Sequence, residues 1–392
     1  MKILFYRYKS IFEPDCKNAF LSYGICVDEM FFDKNKNDTS IEKMAAMLAD
    51  AIDKGEPYLF LFTINFFPVI SDICQKLGVI YVCWSVDCPV NELLFNQIKN
   101  PCNRIFLFDY SQFIRFSKYN PGKIYYLPLA TDYDRLQSTV ANIYESDKNK
   151  YSSDISFVGS LYNEKNPLKN VKLSERTRGF IDGLINAQLQ IFGCNFIEDS
   201  IENYVIDEIK GNGQNNNDSF VESLDRYVVA HTYVGSEITE RERILTLNTL
   251  AEEFDVDLYT FSDCIDLRKV HNRGPANSVT EMPKIFNLSK INLNITMRPI
   301  QTGLSLRVYD VLGCGGFLIT NYQSEIPTLF EVDKDLVVYE SLSDLKEKCS
   351  YYLTHDEERK IIASNGQKKI RDYHNVRMRI KTMIELLTGD MT

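Results

Sequence analysis

The stretch Leu304–Thr320 reads LSLRVYDVLGCGGFLIT, and its order of residue types decides the fold. A loop runs through Thr302, Gly303, Leu304 and Ser305 to Arg307. One short amphipathic helix follows, with Leu306, Val308, Val311 and Leu312 on one side and Asp310 on another. Gly313-Cys314-Gly315-Gly316 breaks it, and the chain resumes as an apolar run from Phe317 to Thr320. Helix, glycine turn and buried strand make the second half of a parallel βαβ unit. In such sheets ligands bind at the carboxyl ends of the strands, often with a phosphate on a helix N-terminus. Thr302, Gly303, Leu304 and Ser305 are therefore candidates to cradle a phosphate. Asp310, about two turns on, is placed to accept hydrogen bonds from a ribose diol. Arg307 offers a fork for bidentate phosphate binding; the plainer alternative is an ion pair with Asp310, three positions on in the helix.

Outward from that stretch, length and composition set bounds. A chain of 392 residues is long for one domain, so two are expected. The formal net charge of -10 argues against a nucleic-acid partner or an anionic membrane held by bulk positive charge. The ten cysteines form no CxxC pair and several lie inside apolar runs, which suits reduced thiols in a cytoplasmic protein. The N-terminus enters a strand pattern directly, with no signal-peptide core. The most apolar stretch, Tyr58–Ile70, contains Asn65 and Pro68 and is too short for a membrane span.

Strands alternate with helical spacing throughout. Lys2–Tyr8, Ile25–Phe32, Tyr58–Phe62, Val79–Trp84, Ile105–Phe108 and Ile124–Leu127 read as strands of a first domain, which places a doubly wound parallel sheet in residues 1–150. Its tail, Ser138–Ser153, is polar and reads as a linker. Asp154–Gly159 restarts the strand pattern and opens a second Rossmann-like domain, 151–375, with a helical insertion at about 176–233. Gly211–Asp218 within it is a low-complexity polar loop. Leu258–Phe261, Ile291–Ile295 and Leu336–Tyr339 are further strands. Residues 376–392 form a last helix able to pack back on the first domain. The fold class is α/β, two doubly wound domains facing a cleft.

Other candidates stand at strand ends. Gly159 and Ser160 form a turn where backbone can approach a ligand. Arg273, with His271, lies in a strand-end loop and is a candidate for phosphate. Gly316 reads as close packing of helix on strand. Asp109 reads as an N-cap of the following helix. Asp87, between Trp84 and Pro89, is either a cap or a general base; burial there would raise its pKa and suit base work. No two histidines have metal-ligand spacing and no Asp-x-Asp appears, so no metal and no cofactor are expected. Walker A, GxSxG and first-strand GxGxxG patterns are missing as well.

The segments SDISFVGS, EMPKIFNLSKINLNIT, GLSLRVYDVLGCGGFLITNYQSEIPTLF and SLSDLKEKCSYYLTHDEERKIIASNGQ resemble the C-terminal domain of the CgeB-like glycosyltransferases. These are bacterial enzymes named for a spore-maturation protein and have the GT-B fold. WSVDCPV, RIFLFDYSQF and YYLPLATD resemble its companion N-terminal domain. The resemblance implies transfer of a sugar from a nucleotide-sugar donor (UDP-, GDP- or dTDP-linked) to a glycan, protein or other surface or spore component, without a metal. The nucleotide would sit on the C-terminal domain and the acceptor on the N-terminal one. Asp310 falls at the position of the carboxylate that holds the ribose in related retaining enzymes. Eight positions earlier, where those enzymes carry a glutamate, this chain has Thr302, which leaves the stereochemical outcome open. It also leaves a second reading, a non-catalytic nucleotide- or sugar-binding module. An epimerase of the same fold is a third.

Overall fold

The computed structural model describes residues 1–32, 39–212 and 224–389. The first unit takes Met1–Ala130 and the described chain from Asn375 on; the second takes the described residues from Thr131 to His374.

In the first unit the strands are β1 Lys2–Arg7, β2 Cys26–Phe31, β3 Leu61–Ile64, β4 Tyr81–Trp84, β5 Asn103–Leu107 and β6 Ile124–Tyr126, ordered β2-β1-β3-β4-β5-β6 and all parallel. Strands β3, β4 and β5 are buried at every position, which is why they read as continuous apolar runs rather than alternating ones. The edge strand β2 carries Asp28 and Glu29 and stays half-exposed, a charged edge that discourages further strand pairing. Phe5, Phe20 and Phe62 pack edge to face beneath the sheet. The last helix, Val376–Gly389, closes this unit. Tyr23 donates to the Arg377 carbonyl at 3.1 Å and Arg379 to the Pro128 carbonyl at 2.9 Å.

The second unit has β7 Ser153–Val158, β8 Val256–Tyr259, β9 His271–Asn272, β10 Ser289–Asn294, β11 Leu318–Asn321 and β12 Val337–Tyr339, ordered β12-β11-β10-β7-β8-β9 and again parallel. The chain leaves β7 toward β8 and later returns to its other side as β10. The strand order therefore reverses between β7 and β10, the place where a doubly wound sheet opens a crevice at its carboxyl ends. Helices Glu175–Gln188, Ile197–Ser200, Asn203–Asn212, Leu224–Val228 and Gly235–Ala251 fill the insertion between β7 and β8, joined by a π-helical turn at Val229–Val234. Gly211 and Asn212 are helical; the rest of the polar loop expected at 211–218 lies outside the described residues.

Two local readings change. The polar segment 138–153 is not an open linker: helices Tyr133–Val140 and Glu145–Tyr151 occupy most of it, and Asp132 caps the first by accepting from the Arg135 amide. Polarity misled because these helices show charge to solvent on most of their surface. The helix in the deciding stretch begins at Leu306, not after Arg307, and runs to Gly313. It ends as the glycines require. Gly315 has φ +75°, and a Cβ on Gly316 would collide with the Phe286 carbonyl and stand 2.8 Å from the Asn292 amide nitrogen. Gly316 is thus a contact between main chains, as the sequence suggests. Gly316→Ala is expected to cost about 1–3 kcal/mol by overpacking and to lower the thermal midpoint by several degrees. An unchanged midpoint would show that the two backbones can separate at no cost.

Candidate functional site

The switch point of the second unit is built by one polar seam and one buried cation. Asn294 at the end of β10 donates to Thr296 at 3.0 Å and Thr320 at 2.9 Å, and accepts from the Ser305 hydroxyl at 3.2 Å. The Asn321 side chain accepts from the Thr296 amide at 2.8 Å. These groups are nearly all buried, and buried polar groups persist only when partnered. The seam therefore fixes the loop between β10 and the Leu306–Gly313 helix. Ser305 is the N-cap residue of that helix, but its hydroxyl is spent on Asn294 and makes no capping bond.

Arg243, from the helix Gly235–Ala251, crosses beneath the strand ends. Its guanidinium donates to the Ser160 carbonyl at 2.5 Å and the Ile295 carbonyl at 2.7 Å, so it ties the loop after β7 to the loop after β10. It lies over the rings of Phe157 and Tyr162 at 5.3 and 5.1 Å. Nε meets no hydrogen-bond acceptor among the described residues. Burial is the main cause that lowers its pKa; Tyr162 and Glu242 oppose this, and the like charge of Arg307 adds to it. Arg307 is in the same position. Burial lowers its pKa against the pull of Asp310, while its guanidinium lies 5.1 Å from the Phe286 ring and 3.8 Å from Asp310. Both guanidinium groups are buried, and the charge of Arg307 is felt at Arg243; Arg307 has Asp310 beside it, while Arg243 is met by carbonyl oxygens.

The loop itself is clamped from the insertion side. Arg298 and Glu242 form a bidentate pair at 2.7 Å for each bond, with side chains 7% and 4% exposed. The Arg298 amide donates to the Thr239 hydroxyl at 3.2 Å. Gln301 meets His231 at 3.0 Å, and His231 meets Glu198 at 2.9 Å. His231 belongs to the π-helical turn, an irregularity that re-aims side chains at the cost of regular pairing.

Of the predicted residues, Gly159 and Ser160 lie at Arg243 and Ser305 at Asn294, while Arg307 lies against Phe286, Met282 and Asp310. Gly159 is tight: a Cβ would meet the Phe157 ring at 3.3 Å. The Ser160 hydroxyl is engaged with Glu164 at 2.6 Å, so its carbonyl, not its side chain, faces Arg243. Gly303 and Leu304 are buried and Thr302 half-buried. The Thr302 carbonyl accepts from the Glu325 amide at 3.2 Å and the Gly303 carbonyl from Gln323 at 3.3 Å. The loop is therefore more covered than the open cradle expected. Asp310 is turned inward, its side chain 14% exposed, with Oδ1 accepting from Thr131 at 2.8 Å; burial raises its pKa, partly offset by Arg307, Thr131 and Arg135. It stands as the partner of Arg307 more than as an open acceptor. Arg273 stands apart: its fork is spent on Asp257, at 2.8 and 3.3 Å, and Asp257 also accepts from Ser153 at the amino end of β7.

Asp87 belongs to the first unit. It is exposed, which corrects the expectation that burial would tune it. Asn65, held at φ 58°, donates to Asp87 at 2.6 Å and to the Tyr8 hydroxyl at 2.9 Å, and accepts from the Val86 amide at 2.9 Å. One side chain thus gathers the carboxyl ends of β1, β3 and β4. Trp84 is core, donating to the Leu127 carbonyl at 3.3 Å. Asp109 is the N-cap expected, accepting from the Gln112 amide at 2.9 Å.

A family model described as glycosyl transferase-like matches residues 215–385. No curated protein matches the chain. Among solved structures, a glycosyltransferase from Rickettsia africae ESF-5 is similar at 10% identity and TM-score 0.51, covering 100% of this chain and 98% of that one. HepE from Anabaena in complex with UDP is similar at 12% identity and TM-score 0.52, covering 99% and 100%. Sucrose-phosphate synthase from Thermosynechococcus elongatus is similar at 10% identity and TM-score 0.52, covering 100% and 99%. The two parallel-sheet, Rossmann-like units are those of the GT-B fold. Among the described residues no helix is long and apolar enough to cross a membrane.

Arg243, Arg298, Glu242 and Asn294 escaped the sequence reading. A signal existed: ERERILTL places Glu240, Glu242 and Arg243 at buried positions of one helix, and NLNIT puts asparagines in an apolar strand. Glu242→Gln leaves Arg298 buried without its counter-charge and is expected to cost about 3 kcal/mol or more. In urea unfolding, the double variant Glu242→Gln/Arg298→Met should recover part of that loss; no recovery would refute the clamp as an ion pair.

Proposed function

We propose that the protein is a glycosyltransferase of the CgeB-like type that takes its sugar from a nucleotide-sugar donor. The observation that carries the reading is the buried Arg243 at the β7/β10 switch point, met by carbonyls after both strands, with the charge of Arg307 felt at it. A nucleoside diphosphate would bring the negative charge that Arg243 is met by only as carbonyl dipoles, and the start of the Leu306–Gly313 helix adds backbone donors. The match to a glycosyl transferase-like family model over residues 215–385 supports the same class, as does the fold shared with HepE, whose structures include complexes with UDP and UDP-glucose.

In this reading the acceptor hydroxyl attacks the anomeric carbon and loses its proton to a general base, the role proposed for Asp87. The bond from that carbon to the diphosphate breaks, and its electron pair leaves with the nucleotide. Arg243 and Arg307 hold the departing charge, the task a metal ion performs elsewhere. Asp310 orients Arg307. Gly159 lets the backbone after β7 approach the phosphates. The ten cysteines are all free thiols, in keeping with a reducing compartment such as the cytoplasm.

Thr302, where a glutamate would contact the donor sugar, favours the second reading of a binding module. Product formation from labelled UDP-, GDP- and dTDP-sugars separates the two.

At least one of UDP, GDP and dTDP should raise the melting temperature. Arg243→Met is expected to weaken that nucleotide about tenfold or more, since charge-assisted bonds are lost. Asp87→Asn should leave nucleotide affinity unchanged and abolish transfer. No stabilisation by any of the three nucleotides overturns the donor site; full transfer by the Asp87 variant removes it as the base.

A further inference from the structure

The loop that leaves the carboxyl end of β8 shows Phe261 to solvent, 87% exposed, between two buried neighbours, Thr260 and Ser262. That exposure is not fraying. The Thr260 amide donates to the Gly274 carbonyl at 3.0 Å. The Ser262 amide donates to the Thr260 hydroxyl at 3.0 Å, and the Ser262 hydroxyl accepts from the Leu161 amide at 2.8 Å and donates to Glu164 at 2.8 Å. Asn163 donates to the Asp263 carbonyl at 2.7 Å. The backbone on both sides of the ring is thus pinned, and the ring is held out in water by it. A lone apolar side chain on a surface is ordinary. A whole phenyl group presented by a pinned strand end is not, because the carboxyl ends of such strands are where the sheet receives ligands.

The place of the ring says what kind of ligand it meets. The Ser262 hydroxyl lies 3.5 Å from that of Ser160, and the Ser160 carbonyl accepts from Arg243. Phe261 therefore stands one strand beyond the β7 loop, roughly 4.8 Å over, the spacing of adjacent strands, and on the side away from β10. A nucleoside diphosphate with its phosphates at Arg243 must send its nucleoside to one side or the other along these strand ends. On the β10 side the loop is closed: Gly303 and Leu304 are buried and the Ser305 hydroxyl is bound to Asn294. On the β8 side a ribose crosses about one strand spacing and delivers its base to Phe261. A base offers a flat π face, which stacks on an aromatic ring.

We infer that Phe261 is the platform on which the base of the nucleotide donor stacks, so that the donor lies along the second unit from β8 to the start of the Leu306–Gly313 helix. The inference rests on the donor reading and deepens it. Arg243 draws the diphosphate by charge, and Phe261 takes the base by its ring. The two contributions are separable, because a ligand that keeps the charge and lacks the base uses only the first.

The test measures binding of UDP, GDP, dTDP and pyrophosphate to the full chain by calorimetry. Phe261 is exposed, so its variants keep the core intact. Phe261→Ala should weaken whichever of the three nucleotides the unaltered chain binds by roughly tenfold and leave pyrophosphate unchanged. Phe261→Leu keeps apolar bulk without a ring and should lose nearly as much, while Phe261→Tyr should retain the affinity. Ile265, 82% exposed further along the same loop, is the control, and Ile265→Ala should leave nucleotide binding unchanged. Unchanged nucleotide affinity in Phe261→Ala overturns the inference and spares the donor site. Full retention by Phe261→Leu overturns it as well, as does an equal loss of nucleotide and pyrophosphate in Phe261→Ala. A loss with Ile265→Ala as large as with Phe261→Ala also overturns it, since a base covers one ring and not the whole loop. No binding of any nucleotide or of pyrophosphate sinks the donor reading and the inference with it. Ring-dependent nucleotide binding with no sugar transfer upholds the platform and leaves the binding-module reading of the protein.

Discussion

A guanidinium taken out of water must be neutralised or must have its donors matched, and the second unit is arranged around that demand. Among the described residues Arg243 forms no ion pair with a carboxylate. Glu242, its neighbour in sequence, is consumed by Arg298. Arg243 therefore leans on carbonyls after β7 and β10, and this joins the two loops that flank the reversal of strand order. The deficit that makes the cation costly to bury is what would suit it to a diphosphate, on the transferase reading proposed above. Arg298 solves the opposite problem. Paired with Glu242, it holds the loop.

The fold was largely legible because parallel strands buried on both faces leave uninterrupted apolar runs, and helices between them leave a different period. What escaped was local. His271–Asn272 is two residues of edge strand, too short for any pattern. The helices in 133–151 hid behind a polar surface. Gly316 and Asp109 were readable from sequence because each obeys a rule of short range, close backbone approach for one and side-chain capping for the other.

The site was half legible. Arg307 and Gly159 sit on the motif and at a strand end, where position alone points to ligands. Arg273 shares that kind of position yet serves Asp257, because which carboxylate lies nearest is a property of the sheet and not of the chain. Arg243 comes from a helix far along the sequence from both loops it joins, and no spacing rule reaches that far. Asp87 illustrates the limit from the other side. Its place at a strand end was read correctly, but stiff neighbours do not ensure burial. The constraint on it is Asn65, one helix and one strand earlier in the chain, whose left-handed backbone lets one amide serve three strand ends.

The helix Val376–Gly389 covers the first unit although every strand of that unit lies within the opening third of the chain. Val376, Ile380, Met383 and Leu387 are buried there. On a ribosome the first sheet emerges early and must wait, with part of its apolar flank bare, until the whole second unit has been synthesised. The maturation of the two units is therefore coupled in time: the one begun first is the one finished last.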